Sequence, residues 1–180
     1  MNICAMALGM SLLGDVPMTT VDYTDTVNWW ARDYSAKYEV NIDPEVIEAI
    51  IRVESSGNPW AVRHEPRFLV WLKTRIKSLN SVATQTTEYQ LRSTSFGLGQ
   101  IMGQTARELG FNEPYLTQLC DPDINIRYTC KYFGKLLRRY RGEEHWAISA
   151  YNAGSARKNS MGKFVNQQYV NKVLKELEGA

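Results

Sequence analysis

Glu54 stands at the end of an apolar run, Val46, Ile47, Ile50, Ile51 and Val53, whose spacing of three and four marks a helix with one buried face. Asp43, Pro44 and Glu45 begin that helix: the aspartate caps free amides, and proline at the first position sacrifices no hydrogen bond. Gly57, Asn58 and Pro59 end it. Glu54 therefore falls in the last turn, where unpaired carbonyls and the negative end of the helix dipole disfavour its ionisation. If apolar neighbours also remove it from water, its pKa rises further and a proton stays available near neutral pH, as a general acid requires. A single glutamate on a helix is more often an ordinary solvent-facing residue, so the surrounding residues must decide.

Glu65, in Arg63-His64-Glu65-Pro66, is a second carboxylate close in sequence. Across a cleft from Glu54 it would activate water, whereas the blander reading is a surface ion pair with Arg63 or Arg67. The side-chain amide of Gln100 can donate and accept at once. Tyr151 combines an apolar ring with a hydroxyl, but on their own Tyr151 and Asn152 read first as helix-end residues, with Asn152 near Gly154 a common terminator. Cys4, Cys120 and Cys130 form no CxxC pair and no metal-ligand spacing with His64 and His145, so neither a metal nor a cofactor is expected. Pairing of Cys120 with Cys130 stays open, although an odd cysteine count reads more simply as reduced thiols. No Ser-His-Asp or Cys-His motif points to a peptidase or amidase. A net charge of +2 is too small for the concentrated basic face that nucleic acid demands, so no nucleic-acid partner is expected.

The elements that must position these groups are helical. Apolar residues Val27, Trp30, Ala31 and Tyr34 predict a first helix within residues 21–38, ahead of the one that carries Glu54. Phe68 to Leu79 reads as a further amphipathic helix, while the Thr- and Ser-rich stretch from Asn80 to Ser95 gives no clear pattern. Gly97, Gly99 and Gly103 break up an apolar stretch, and a short helix over Thr105 to Leu109 stops at Gly110. Asp121 and Pro122 open a long helix closing near Gly142; two more are expected over Glu143 to Ala153 and roughly Phe164 to Leu177. No run of alternating strands is evident. One domain of residues 19–180 is expected after an N-terminal leader or arm of residues 1–18, which shows no clear secretory signal; no apolar run is long enough to span a bilayer.

Three segments in order resemble the catalytic domain of the soluble lytic transglycosylases, relatives of goose-type lysozymes. They are Glu54-Ser55-Ser56-Gly57-Asn58-Pro59-Trp60-Ala61-Val62, Ser95-Phe96-Gly97-Leu98-Gly99-Gln100-Ile101-Met102 and Ala150-Tyr151-Asn152-Ala153-Gly154, with Thr105-Ala106 and Asp121-Pro122-x-x-Asn125 between them. The resemblance implies an all-α, mainly helical lysozyme-like domain with room for a small β-hairpin or irregular region near the groove. It implies Glu54 as the catalytic acid and base, with Ser55, Gln100, Met102, Tyr151, Asn152 and, at a lower rank, Tyr169 along the substrate cleft. The substrate it implies is the peptidoglycan glycan strand, cut between N-acetylmuramic acid and N-acetylglucosamine to leave a 1,6-anhydro end. Two other readings stand beside it: a hydrolytic muramidase using Glu54 and Glu65, and a glycan-binding structural component without activity. The chain departs from the family pattern at Gly99, where methionine is usual, at Gly103, where proline is usual, and at Arg63, often serine. A bacteriophage virion or lysis enzyme acting on the wall is the expected setting, a secretion apparatus the second, with residues 1–18 as the expected contact to partner proteins.

Overall fold

The computed structural model describes residues 22–179 apart from 78 and 80; the expected leader lies outside the described residues. Helix α1 spans Thr24–Tyr38, α2 Pro44–Ser55 and α3 Pro66–Arg75. These are followed by α4, Gln85–Arg92, and α5, Gly103–Glu108, then α6, Pro122–Arg139, α7, Glu144–Ala153, and α8, Gln167–Glu178. Three short strands, β1 Val62–His64, β2 Thr94–Phe96 and β3 Ile101–Met102, form an antiparallel sheet in the order β1-β2-β3, with Val62 opposite Phe96 and Ser95 opposite Met102. The architecture is the expected mainly helical one with a small β region. None of the described helices is long and apolar enough to cross a membrane.

Helix α6 is the central member. Its buried face carries Ile126, Cys130, Phe133, Leu136 and Leu137, and it packs against α1 on one side and α7 on the other. Asp121 begins it by accepting from the Ile124 amide at 3.0 Å, just ahead of Pro122. The same device begins α2, where the Asp43 carboxylate accepts from the Glu45 amide at 2.9 Å. Helix α2 then buries Val46, Ile47, Ala49, Ile50 and Ile51 against α8 and α1. Cys120 and Cys130 are free thiols, with Cys130 buried among the apolar residues of α6.

The structure departs from the sequence expectation in four places. Helix α3 ends at Arg75 rather than reaching Leu79, because Ile76 turns to extended backbone, φ −115° and ψ 117°. The Thr- and Ser-rich stretch contains α4, begun by Thr84, whose hydroxyl accepts from the Thr87 amide at 3.2 Å. A short 3-10 helix, Leu116–Cys120, precedes α6. Phe164 is not the first residue of the last helix: it is buried and bridged to Lys158, and α8 starts at Gln167.

Candidate active site

Glu54 is set by the way α2 stops. Ser56 adopts left-handed backbone, φ 53°, and its amide returns to the Arg52 carbonyl at 3.0 Å; Gly57 follows at φ 77°. The chain then turns through Asn58, whose side-chain oxygen accepts from the Trp60 amide at 2.9 Å, and runs into β1. Held at this end, Glu54 faces a cleft of about 730 Å³ that is also lined by Gln100, Met102, Tyr151 and Asn152. Burial pushes its carboxyl above the ordinary 4.5; a hydrogen bond from Tyr169 and the Arg63 charge pull the other way without cancelling that effect. The Tyr169 hydroxyl donates to Glu54 Oε1 at 2.7 Å, linking α8 to α2 across 115 positions of sequence. Proximity to the Glu54 carboxylate adds to burial in holding the Tyr169 phenol far above its usual range, so it remains a donor.

The glycine loop between β2 and β3 forms the adjoining wall, and a single buried asparagine organises it. Asn125 of α6 accepts from the Gly99 amide at 2.7 Å and donates to the carbonyls of Phe96 at 2.8 Å and Leu119 at 2.7 Å. Tyr151, buried and with its phenol raised by desolvation, donates to the Gly99 carbonyl at 2.7 Å. Gly99 has to be small: a β-carbon there would lie 2.1 Å from Thr129 Oγ1 and 2.9 Å from the Tyr151 hydroxyl oxygen. Gly103, the first residue of α5, has to be small as well, since a β-carbon would lie 2.4 Å from the Leu91 carbonyl oxygen. Both departures from the usual family residues are therefore fitted to close packing of this loop against α6 and α4.

The residues singled out from sequence divide into two groups. Glu54, Gln100, Met102, Tyr151 and Asn152 share one cleft, and Tyr169 meets Glu54 directly. Tyr151 gives its hydroxyl to Gly99 rather than to Glu54, because the loop carbonyl stands where its ring delivers it. The Gln100 amide nitrogen is spent on the carbonyls of Ala61 and Gly97, each at 3.0 Å, which fixes the loop in a turn with Gln100 at φ 49°. Asn152 accepts from Asn166 at 3.1 Å. Ser55 turns its hydroxyl back to the Ile51 carbonyl at 3.2 Å and is not on the cleft wall. Glu65 is likewise absent from that wall and pairs with Arg63 at 2.7 Å, so its carboxylate goes to the neighbouring cation.

Several cleft residues escaped the sequence reading. Phe68 and Trp71 of α3 line it with ring centroids 5.1 Å apart, and Glu108, Tyr132, Lys135 and Arg139 line it as well. Phe68 and Trp71 read there only as apolar positions of a helix, and the polar ones carried no motif. Spacing gives one retrospective signal: Tyr132, Lys135 and Arg139 recur at three and four and so share a face of α6.

Comparison with known proteins fits this geometry. The family model described as Transglycosylase SLT domain matches residues 33–173. A curated relative from Enterobacteria phage PRD1, described as "Transglycosylase", is 26% identical over 151 residues, which is 84% of this chain and 43% of that protein. The chain thus spans less than half the length of that relative.

Proposed function

The chain belongs to the transglycosylase SLT domain family, and we propose that it cleaves the peptidoglycan glycan strand between N-acetylmuramic acid and N-acetylglucosamine, with Glu54 as its single acid and base. The observation that carries this reading is a carboxyl group in a sugar-sized cleft, lifted above its ordinary pKa by burial and held in position by Tyr169. In the first step the protonated Glu54 gives its proton to the bridging oxygen as the bond from the muramic acid C1 to that oxygen breaks. In the second, the Glu54 carboxylate takes the proton from the 6-hydroxyl of the same muramic acid, and that oxygen bonds to C1. No water is consumed, and the nucleophile comes from the substrate. Because it is tethered in the same sugar, its effective molarity can reach ~10⁵ M or more in a suitable geometry. The Tyr169 hydroxyl donates to one carboxyl oxygen and leaves the other for the proton transfers.

Hydrolysis would need a second carboxylate to activate water. Glu65 does not line the cleft itself and its carboxylate is held by Arg63, which does, so it is poorly placed for that; Glu108 lines the cleft and accepts from Gln104 at 2.8 Å. Mass spectrometry of digested peptidoglycan separates the two outcomes. We expect 1,6-anhydromuramic acid ends from the wild-type protein and, in the same digestion time, at least about a hundredfold fewer from Glu54→Gln. Reducing muramic acid ends without anhydro ends would replace the transglycosylase reading by hydrolysis, and equal wall binding without cleavage by both proteins would leave a binding component. The phage relative supports a phage-associated enzyme acting on the bacterial wall, with virion proteins as the partners to test.

A further inference from the structure

The wall of the cleft formed by α6 carries charge that the glycan backbone and Glu54 do not use. Lys135 and Arg139 are four residues apart on the face that also presents Tyr132, and all three line the cleft that contains Glu54. Both cations are exposed, and neither joins an ion pair among the described residues. Arg139 lies over the Tyr140 ring at 5.5 Å, a contact that leaves its charge uncompensated. Arg138 differs in that its guanidinium is placed over the Tyr38 ring at 5.1 Å, toward α1. Nor do Lys135 and Arg139 serve to tune the acid, since the cation that acts on Glu54 is Arg63. N-acetylglucosamine is neutral, and the Glu108 carboxylate on the same cleft accepts from Gln104 and pairs with neither cation, so Lys135 and Arg139 call for an anion that the substrate brings with it. The peptide stems attached to muramic acid are acidic and project sideways from the strand.

We propose that Lys135 and Arg139 bind the carboxylates of those peptide stems, which makes stem-bearing strands the preferred substrate. This rests on the cleavage reading above. Paired guanidinium or ammonium to carboxylate contacts at a partly exposed wall orient the strand and raise its productive binding, while contributing little to the chemical step.

The test uses soluble, uncrosslinked peptidoglycan strands with their stems and the same strands stripped of stems by an amidase. Wild-type protein should cleave stem-bearing strands about tenfold more efficiently, the scale expected of two partly exposed charge pairs. The double variant Lys135→Gln/Arg139→Gln should bring that ratio close to one, through KM rather than kcat, and Lys135→Arg/Arg139→Lys should keep it. Raising ionic strength should lower the wild-type ratio, a readout that needs no variant. If both strands are cleaved with a ratio that neither salt nor the double variant changes, the stem assignment falls and the cleavage reading stands. A wild-type preference for stripped strands, whose lactyl carboxylates are free, would overturn it in favour of that carboxylate. Failure to cleave either strand would remove the cleavage reading and this inference with it.

Discussion

At the scale of single residues, Glu54 and Tyr169 form a coupled pair. The tyrosine donates to the carboxyl group, a contact that favours the charged form, while burial disfavours it more strongly. Tyr169 therefore holds the carboxyl in place at a modest cost to its proton affinity. Glu54→Gln is expected to lower the rate of wall cleavage by ~10²–10⁴-fold, the range for loss of a positioned acid and base, measured by turbidity loss of purified peptidoglycan. Tyr169→Phe removes the donor, so the Glu54 pKa should move further up. The basic limb of the rate profile, where the acid loses its proton, should shift to higher pH as kcat falls about tenfold from lost orientation. A profile that loses amplitude without moving would mean that Tyr169 acts only as packing.

At the scale of elements, α6 holds the glycine loop beside Glu54 through Asn125. Its side chain satisfies the Gly99 amide and two carbonyls in a site closed to water. Asn125→Leu should leave those groups unpaired and cost about 3 kcal/mol or more, read by urea unfolding. Activity should fall further than stability alone explains, because the loop wall beside Glu54 loses its anchor. The starts of α2 and α6 are legible in the sequence because Asp43-Pro44 and Asp121-Pro122 state them locally, in capping and proline geometry. Helix α4 is not legible in the same way. Its one buried residue is the charged Glu88, so an apolar period has nothing to register. The strands are too short for alternation to show, and β1 is exposed along its whole length. The cleft itself divides similarly: Glu54 announces itself through the end of α2 and the motif after it, whereas its bond to Tyr169 exists only once α8 packs on α2. Lys135 and Arg139 look like ordinary solvated helix charges until the cleft is seen beside them.

At the scale of the whole molecule, two carboxyl groups make stability depend on pH in opposite senses. Glu88 is buried, receives hydrogen bonds from Arg92 at 2.8 Å, Arg107 at 3.1 Å and Ser81 at 2.9 Å, and so ties α4 to α5. Burial alone would raise its pKa, but these partners prevail and hold it below the ordinary 4.5. Its contribution is therefore fully present above about 4.5 and is lost as pH falls through the lowered value. Glu88→Gln should destabilise the protein at neutral pH by about 3 kcal/mol, as breaking a buried ion pair does, with a smaller loss in strong acid. Glu54 has the opposite sign. Its raised pKa favours folding below the ordinary value, and that benefit is lost as pH rises through the raised one, so burial of this carboxyl lowers stability at neutral pH. A titration of side-chain carboxyl carbons by NMR, with Glu54→Gln used to assign the signal, measures this directly. The expected result is one glutamate, missing from Glu54→Gln, that titrates above 4.5 in the free protein and higher still in Tyr169→Phe. A Glu54 signal that titrates at or below 4.5 would contradict its role as the proton donor.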